Sequence, residues 1–260
     1  MSTATSDNHS VNRPSALEPE TGLGVLHLFF RVGNGVDTKA VLQAVQSALD
    51  DGYQVVPVSI LGHKADIALM VLGPDLWRLR IFQSEVSCAG FELVSSYVSL
   101  TEVSEYAAGV PNEMKQARMY PVLPPEGLKA FSFYPMSKRR NNPDNWYLLD
   151  YEERNSLMLA HGKLGRTFHG RIVQLITGST GLDDWEWGVT LFGARPDDLK
   201  ECVYQMRFDE ASARYADFGP FYLGMVGTLE EVLSAAGLDT KRDSKAETSS
   251  TSSTSSARGR

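Results

Sequence analysis

The chain has 260 residues, 42% of them hydrophobic, and a formal net charge of −7. This is enough apolar sequence for one large domain or two fused small ones, and the acidic balance argues against a general nucleic-acid binder. The two cysteines, Cys88 and Cys202, lack the spacing of a zinc site or a disulfide framework. No apolar run approaches the roughly 18 residues of a membrane span, and the N-terminus has no signal-peptide pattern, so the sequence predicts a cytoplasmic protein.

Both ends of the chain have the composition of disordered segments. Residues 1–22 are mostly polar, and residues 239–260 include a Ser/Thr-rich tract of low complexity. The folded part is therefore predicted to lie between them.

The first half of the folded part, residues 23–106, has alternating strand and helix patterns. GVLHLFFRV is typical of a strand, DTKAVLQAVQSALDDG of an amphipathic helix ending at Gly52, and YQVVPVSILG of a second strand. ADIALMVLG predicts a third strand, PDLWRLRIFQSE a helix with proline at its start, and SYVSLTEVSEY a last strand. The predicted order is βαββαβ.

The second half, residues 128–238, repeats that order after a connector over residues 107–127. Its predicted strands are KAFSFYPMS, RIVQLITGS, DWEWGVTLFG and FGPFYLGMV, and its helices are WYLLDYEERNSLMLAHGKLG and PDDLKECVYQMRF. LMVLGPDLWRL and VTLFGARPDDLKEC share an apolar strand, a glycine and a proline-led helix start. The sequence thus predicts an α+β fold in which two ferredoxin-like units combine into a dimeric α+β barrel.

The stretch FSFYPMSKRR joins a strand to a group of cations. Its period-two pattern runs to Tyr134, and Pro135 is predicted to end the regular pairing because proline has no N–H to donate. Lys138, Arg139 and Arg140 follow directly. Taken alone, this cluster is as consistent with a solvated loop as with an anion site. Taken alone, Tyr134 is also consistent with an ordinary tyrosine at a strand end.

His161 lies on the apolar stripe of its predicted helix, four residues after Leu157 and three before Leu164. A neutral imidazole in that position can be an axial iron ligand. A core histidine bonded to a backbone carbonyl fits the pattern equally well, since a lone helical histidine is usually structural.

Four segments together carry a family resemblance. They are FYPMSKRR, NWYLL, HGKLGRTFHGRIVQLITGSTGLDDWEWGVTLF and VYQMRFDEASARYADFGPFYLG. They resemble the coproheme decarboxylases of the chlorite dismutase-like superfamily. The likeness covers most of residues 23–230 in architecture and is specific from about Arg118 onward.

The resemblance assigns roles to individual residues. It implies that His161 is the proximal iron ligand, Tyr134 the catalytic tyrosine and Lys138 the lysine that steers a propionate. Met136 would pack against the porphyrin edge, and Gln174 would be the distal residue. The matches to propionate-binding positions are Arg118, Arg207, Ser212 and, more weakly, Tyr97.

The activity implied by the resemblance is a peroxide-dependent oxidative decarboxylation. Two propionates of ferric coproporphyrin III (coproheme) would become vinyl groups through a three-propionate intermediate, with haem b as product, in the last step of coproporphyrin-dependent haem biosynthesis. Coproheme would be substrate and redox cofactor at once. Family likeness also implies a homopentamer and a transient contact with coproporphyrin ferrochelatase, with no nucleic-acid partner and no membrane span.

Two alternatives stay open at this point. A chlorite dismutase or haem peroxidase would share the fold and the proximal histidine, but chlorite dismutases carry a distal arginine where Gln174 stands. A non-enzymatic haem carrier would need His161 and gives no reason for Tyr134. The neutral Gln174 and the pairing of Tyr134 with Lys138 favour decarboxylation.

Overall fold

The structure, a computed structural model, describes residues 14–238. The first half contains β1 (Gly24–Val32), α1 (Thr38–Asp50), β2 (Gln54–Leu61), β3 (Ile67–Gly73), α2 (Leu76–Cys88) and β4 (Phe91–Thr101), followed by α3 (Asn112–Met119). The second half contains β5 (Ala130–Lys138), the short strands β6 (Arg140–Asn141) and β7 (Asp144–Asn145), a 3-10 turn (Trp146–Leu148), α4 (Tyr151–Arg166), β8 (Ile172–Gly178) and β9 (Trp187–Gly193). It ends with α5 (Pro196–Met206), α6 (Glu210–Ala213), β10 (Ala216–Phe218), β11 (Tyr222–Val226) and α7 (Leu229–Ala235).

Eight antiparallel strands form a closed ring. Their order is β5-β11-β2-β3-β1-β4-β8-β9, and β9 pairs back onto β5 to close it, while β10 pairs with the end of β5. Each half keeps the strand order of a ferredoxin-like unit, with its first strand beside its third and fourth. The predicted dimeric α+β barrel is confirmed.

The two halves meet at seams of unequal length. At one seam β11 pairs with β2 over four residue pairs, from Leu223 with Leu61 to Val226 with Val58. At the other seam β4 pairs with β8 over two, Leu100 with Gly178 and Thr101 with Thr177.

Aromatic side chains fill the interior of the ring. Phe133 lies 5.6 Å from Phe29 and 5.3 Å from Tyr97, ring centre to ring centre, and Phe29 stacks on Tyr222 at 3.8 Å. Because successive side chains of a strand point to opposite faces, these residues point into the barrel and their sequence neighbours point to the outer face. The core therefore holds both halves together across the barrel.

The outer face of the first half is covered by helices. α1 buries Val41, Ala44, Val45 and Ala48 against the sheet, and α2 and α7 complete the same hydrophobic cluster. Aspartates cap the first two helices: the Asp37 carboxylate accepts from the Ala40 N–H, and the Asp75 carboxylate accepts from the Trp77 N–H.

The outer face of the second half is covered less completely. α5 packs on it through Leu199 and Cys202, against Val189, Leu191 and other residues of β5, β8 and β9. α4, which occupies the place of α1 in the repeat, buries none of its side chains.

Two predicted strands differ from the structure. β5 does not end at Pro135 but continues to Lys138. On one edge of β5, β11 pairs with residues up to Phe133 and β10 pairs only from Met136 onward. Pro135 lies between these two paired regions, where no N–H donor is required. β4 begins five residues before the predicted Ser96 and ends at Thr101, because the chain then leaves the sheet and Tyr106 packs on Trp146.

The predicted tails fall mainly outside the described residues: all of 239–260 does, and so do residues 1–13. Within the part that is described, Leu17 exchanges two hydrogen bonds with the start of α2, donating to Asp75 and accepting from Leu76. No helix in residues 14–238 combines the length and the apolar character needed to cross a membrane.

Candidate functional site

The outer face of β5, β9 and β8 carries three of the predicted site residues. Directly opposed residues of antiparallel strands point to the same face. One row therefore joins Tyr134, Val189 and Ile176, a second joins Ser132, Leu191 and Gln174, and a third joins Met136, Trp187 and Gly178. Tyr134, Met136 and Gln174 lie on this one face.

Part of this outer face, around Gln174 and Ile176, is uncovered, and we call this uncovered part the cleft. Gln174 is exposed, and Ile176 keeps 41% of its surface accessible although it lies on a sheet face that α5 covers elsewhere. An exposed apolar residue between a helix and a strand leaves apolar surface for a ligand to cover. The corresponding space in the first half is filled by the side chains of α1.

His161 lies on α4 with one ring nitrogen engaged and one available. Its Nδ1 is 2.8 Å from Oδ2 of Asp209, while Nε2 has no hydrogen-bond partner in residues 14–238, and the side chain is 31% exposed. A neutral imidazole that donates its Nδ1–H to a carboxylate presents the Nε2 lone pair in a fixed direction. This is the arrangement of a metal-ligating histidine.

Asp209 is the residue that the sequence analysis missed. Its side chain is 6% exposed, it caps α6, and it accepts hydrogen bonds from the N–H and the hydroxyl of Ser212 at 3.2 and 3.3 Å. Burial acts to raise the pKa of Asp209, but the hydrogen bonds from His161 and Ser212 outweigh it, so the pKa is lowered. The only signal in the sequence was an N-cap pattern, DEAS, 48 residues after His161.

The side chains around His161 fit a metal ion that is already bound by another ligand. Residues 14–238 contain no group of three or more His, Cys, Asp or Glu side chains placed to hold a metal ion. A single imidazole beside an apolar, open face suits instead a metal already held in a flat macrocycle.

Tyr134 is an isolated phenol on the sheet side of the cleft. It is 8% exposed, stacks on Phe221 at 4.4 Å and meets Phe218 edge-on at 5.8 Å, and its hydroxyl has no hydrogen-bond partner within residues 14–238. Burial raises its pKa well above the ordinary value, although the charge of Arg207 acts in the opposite direction. The phenol therefore keeps its proton at neutral pH.

Two of the predicted propionate-binding residues, Arg118 and Arg207, are exposed and have no ion pair in the described part of the chain. The guanidinium carbon of Arg207 lies 5.3 Å from the ring centre of Phe218. Arg118 lies in the last turn of α3, next to Met119, whose carbonyl accepts a 2.8 Å hydrogen bond from Thr101. Thr101 pairs with Thr177, so the end of α3 lies near the β4–β8 seam.

Lys138 differs from the free cation suggested by its sequence context. Its side chain is buried, and its Nζ donates to the carbonyl of Ala211 at 2.8 Å and lies 4.1 Å from the ring centre of Trp146. Burial lowers its pKa to about 8, although the charges of Asp209 and Glu186 oppose that shift.

The two arginines after Lys138 point elsewhere. Arg139 pairs with Asp217 at 2.9 Å, and Arg140 lies 3.9 Å from Glu186. The three successive cations therefore do not form one anion site.

The last two predicted residues are not free at the cleft. Ser212 is buried beside Asp209, to which its hydroxyl is bonded. Tyr97 lies inside the barrel, where its hydroxyl is hydrogen-bonded to Ser179, and the structure does not bring it to the outer face.

The fold and the site define a class: dimeric α+β barrel proteins with a carboxylate-bound histidine on a helix of the second half and a partly exposed outer sheet face. The chain belongs to the chlorite dismutase family, whose sequence pattern it matches over residues 37–227. It is similar to the coproheme decarboxylase of Staphylococcus saprophyticus, with 46% identity over 184 residues that span 67% of this chain and 73% of that protein. Its identity to the coproheme decarboxylase of Staphylococcus carnosus is 47% over 178 residues, 65% of this chain and 71% of that protein.

Solved structures agree with the fold. A heme-binding protein from Thermus thermophilus, 35% identical, superimposes with a TM-score of 0.74 over 87% of this chain and 98% of that one. A mutant chlorite dismutase from Candidatus Nitrospira defluvii, 20% identical, gives a TM-score of 0.67 over 84% of this chain and 97% of that one. The second likeness concerns the fold alone.

Proposed function

We propose that the chain is a coproheme decarboxylase, an enzyme that converts two propionates of ferric coproporphyrin III to vinyl groups. Hydrogen peroxide is the oxidant, a three-propionate porphyrin is the intermediate, and haem b is the product. The identities of 46% and 47% to two coproheme decarboxylases support this assignment. The remaining support comes from the residues around the cleft.

His161 would bind the iron through Nε2, with Asp209 holding the ring by its Nδ1–H. A carboxylate in that position fixes the tautomer and raises the basicity of the ligating nitrogen. The lowered pKa of Asp209 means that its carboxylate stays ionised at neutral pH. When bound, the iron porphyrin would supply the oxidising power by reaction with peroxide, and the chain would supply placement.

The observation that carries the proposal is the unpartnered phenol of Tyr134. A protein that only bound haem would have no use for an oxidisable O–H on the outer sheet face that is kept protonated and has no hydrogen-bond partner among residues 14–238. Its stacking on Phe221 limits the motion of the ring and so fixes the position of the phenol oxygen.

The reaction balances with one peroxide for each propionate. Conversion of CH2–CH2–COO⁻ to CH=CH2 and CO2 releases two electrons and one proton. One H2O2 takes up those two electrons and two protons, one of them from solvent, and gives two water molecules. Tyr134 would give up a hydrogen atom and recover one from the propionate carbon attached to the ring.

Arg118 and Arg207 are proposed to hold propionates, since each is an exposed cation without an ion pair among the described residues. Met136 would line the porphyrin edge, and Gln174 would face the iron from the sheet with a neutral amide. Ser212 could bind a propionate only by rotating away from Asp209, so its contribution is proposed to be the smaller one.

The test is product analysis of purified protein given ferric coproporphyrin III and peroxide, with the porphyrins identified by mass spectrometry. The parent should yield haem b. Tyr134→Phe, which removes the O–H and little volume, should bind coproheme, consume peroxide and form no vinyl groups. Tyr204→Phe, an exposed tyrosine on α5, is the matched control and should behave as the parent. Normal haem b formation by Tyr134→Phe would refute the role of this residue.

The proposed assembly rests on the resemblance alone. A homopentamer and a transient contact with coproporphyrin ferrochelatase are proposed on that basis, and sedimentation of the purified protein tests the first. The cytoplasmic location predicted from the sequence stays a prediction.

A further inference from the structure

The ring of Tyr134 is enclosed by a short loop whose role the proposed reaction leaves unexplained. This loop, residues 218–221, begins with the last residue of β10 and leads into β11, and we call it the aromatic loop. The Phe221 ring stacks on Tyr134 at 4.4 Å, and Phe218 meets it edge-on at 5.8 Å. Because the Tyr134 hydroxyl has no hydrogen-bond partner in residues 14–238, the position of the phenol depends on packing, to which these two rings contribute directly.

The start of the aromatic loop is fixed by β5. The Gly219 N–H donates to the Pro135 carbonyl at 2.8 Å. A Cβ added at Gly219 would lie 2.6 Å from the Pro135 ring and 2.9 Å from Trp185, so the backbone lies directly on these two side chains. The Phe218 end of the loop is thereby held next to Tyr134, which precedes Pro135 in β5.

The Phe221 end of the aromatic loop is held from the other half of the barrel. Lys64 lies in the turn between β2 and β3, and its Nζ donates to the Phe221 carbonyl at 2.5 Å. The same ammonium lies 5.5 Å from the ring centre of Tyr222. The β11–β2 seam brings these groups together, because Leu223 pairs with Leu61 at the end of β2.

The turn that carries Lys64 is itself firmly attached to the first half. Ala65 is 1% exposed and belongs to the same hydrophobic cluster as Tyr222, and the Asp66 carboxylate accepts from the Val32 N–H at 2.8 Å. Lys64 is exposed, and it has no ion pair in residues 14–238. A lysine that served only to solvate the surface would gain nothing by ordering its long side chain, whereas a charge-assisted bond to a carbonyl can offset that cost in entropy.

We propose that Lys64 is a positioning residue for Tyr134: by holding the Phe221 carbonyl, it sets the place of the ring that stacks on the phenol. The two halves of the barrel thus share the site, since the first half supplies a contact that fixes the oxidisable group of the second. The inference rests on the proposed function only in taking Tyr134 to be the residue that reacts with substrate. The role requires no contact between Lys64 and the porphyrin.

Loss of the Lys64 contact should loosen one side of the phenol. Without the hydrogen bond to its carbonyl, Phe221 is free to move its ring away from Tyr134, and water then reaches the phenol. Because burial is what raises the pKa of Tyr134, that pKa should fall toward its ordinary value. The hydroxyl would also be placed less precisely for transfer of its hydrogen atom.

The experiment uses the unloaded full-length protein, so that it does not depend on catalysis. Lys64→Met removes the ammonium and keeps an apolar chain of similar length. Lys200→Met is the matched control, because Lys200 is an exposed lysine on α5. One measurement is the 13C shift of the Tyr134 ring carbon that bears the hydroxyl, assigned by its absence from the spectrum of Tyr134→Phe. The other is nitration of Tyr134 by tetranitromethane, quantified on its peptide by mass spectrometry.

Lys64→Met should move the Tyr134 shift and speed its nitration by about two- to tenfold, the equivalent of one lost hydrogen bond. Nitration of Tyr215, which is 1% exposed and packs on Trp146, should not change, and this separates a local effect from a general loss of stability. Lys64→Arg keeps a donor and should restore the parent values, and Lys200→Met should match the parent. In coproheme-loaded protein, Lys64→Met should slow vinyl formation by a similar factor and leave the affinity for coproheme unchanged.

A parent-like Tyr134 shift and nitration rate in Lys64→Met would overturn the inference. Lys64→Ala, which also removes the donor, carries the same test if the Met variant does not fold. Vinyl formation at the parent rate in a folded variant would overturn it as well. Failure of the parent to decarboxylate coproheme would instead remove the proposed function, while the Tyr134 measurements on unloaded protein would still decide whether Lys64 positions the phenol.

Discussion

The two halves of the barrel share a strand order and differ in what covers their outer faces. In the first half α1, α2 and α7 bury a continuous apolar cluster. In the second half α5 packs on the sheet, whereas no residue of α4 is fully buried, its Leu157 and Met158 pack near Trp146 and Tyr215, and Ile176 on the sheet stays exposed. In the first copy of the repeat α1 packs on the sheet, whereas in the second copy α4 does not, and part of the sheet face stays uncovered.

The buried cations of the two halves also differ in their partners. The buried cation of the first half, Arg78, is satisfied by two carboxylates, Asp51 at 2.6 Å and Glu85 at 3.1 Å. The buried cation of the second half, Lys138, has a carbonyl and an aromatic ring instead. The first half is arranged for stability, and the second tolerates less favourable contacts around its candidate site.

The largest expected effect is a difference in core truncation between the halves. Phe30→Ala, in the filled half, should lower the free energy of unfolding by about 3–5 kcal/mol, because Phe30 is fully buried. Ile176→Ala, in the cleft, should cost less than about 1 kcal/mol, since the side chain is 41% exposed. Urea unfolding of unloaded protein measures both, and equal costs would mean that the cleft is closed in solution.

A second effect concerns pH and Lys138. The unfolded chain keeps this proton up to an ordinary pKa of 10.5 and the folded chain only up to about 8, so between these pH values the unfolded state binds more protons. The free energy of unfolding should therefore rise with pH across this window, by up to about 3 kcal/mol relative to Lys138→Met. Parallel urea titrations measure the difference, and a constant difference from pH 7 to 11 would contradict the burial of this charge.

The smallest of the three effects concerns the rim of the cleft. Arg207→Ala and Arg118→Ala should each weaken coproheme binding by about 1.5–3 kcal/mol, the range for a hydrogen bond to a charged group. Arg171→Ala is the control, because Arg171 already pairs with Asp198 and Glu201 on the same half. Spectroscopic titration with coproheme measures all three, and parent-like affinity in both rim variants would place the porphyrin elsewhere.

Local patterns predicted most of the elements correctly because they depend on neighbours in sequence. The segment GVLHLFFRV forms β1 residue for residue, and an aspartate caps each of the two predicted helices of the first half, α1 and α2. The prediction that regular pairing ends at Pro135 was wrong. The effect of a missing N–H depends on whether a neighbouring strand offers an acceptor there, and the local sequence does not show this. The one-turn helix α6 was missed because so short an element carries no periodicity.

The sequence suggested which residues belong to the candidate site, but it did not show which side chains contact one another there. The structure places Tyr134 and Gln174 on one sheet face and His161 on α4, and the roles that the resemblance implies for them stay predictions. The Asp209 partner of His161 was out of reach, because the pair is joined only by the packing of α6 against α4, 48 residues apart in sequence. The burial of Lys138 was also invisible, since it results from Trp146 and Ala211 folding back over the end of β5.

The unequal seams of the ring have a consequence for motion. Stability against local opening follows the number of bonds and contacts that must break, and the β4–β8 seam has half as many residue pairs as the β11–β2 seam. We expect β8 to be the strand that separates most readily from its neighbour in thermal fluctuations. Because β8 carries Gln174 and Ile176, such breathing would widen the cleft at its entrance and give a rigid, planar molecule a way in without unfolding the barrel.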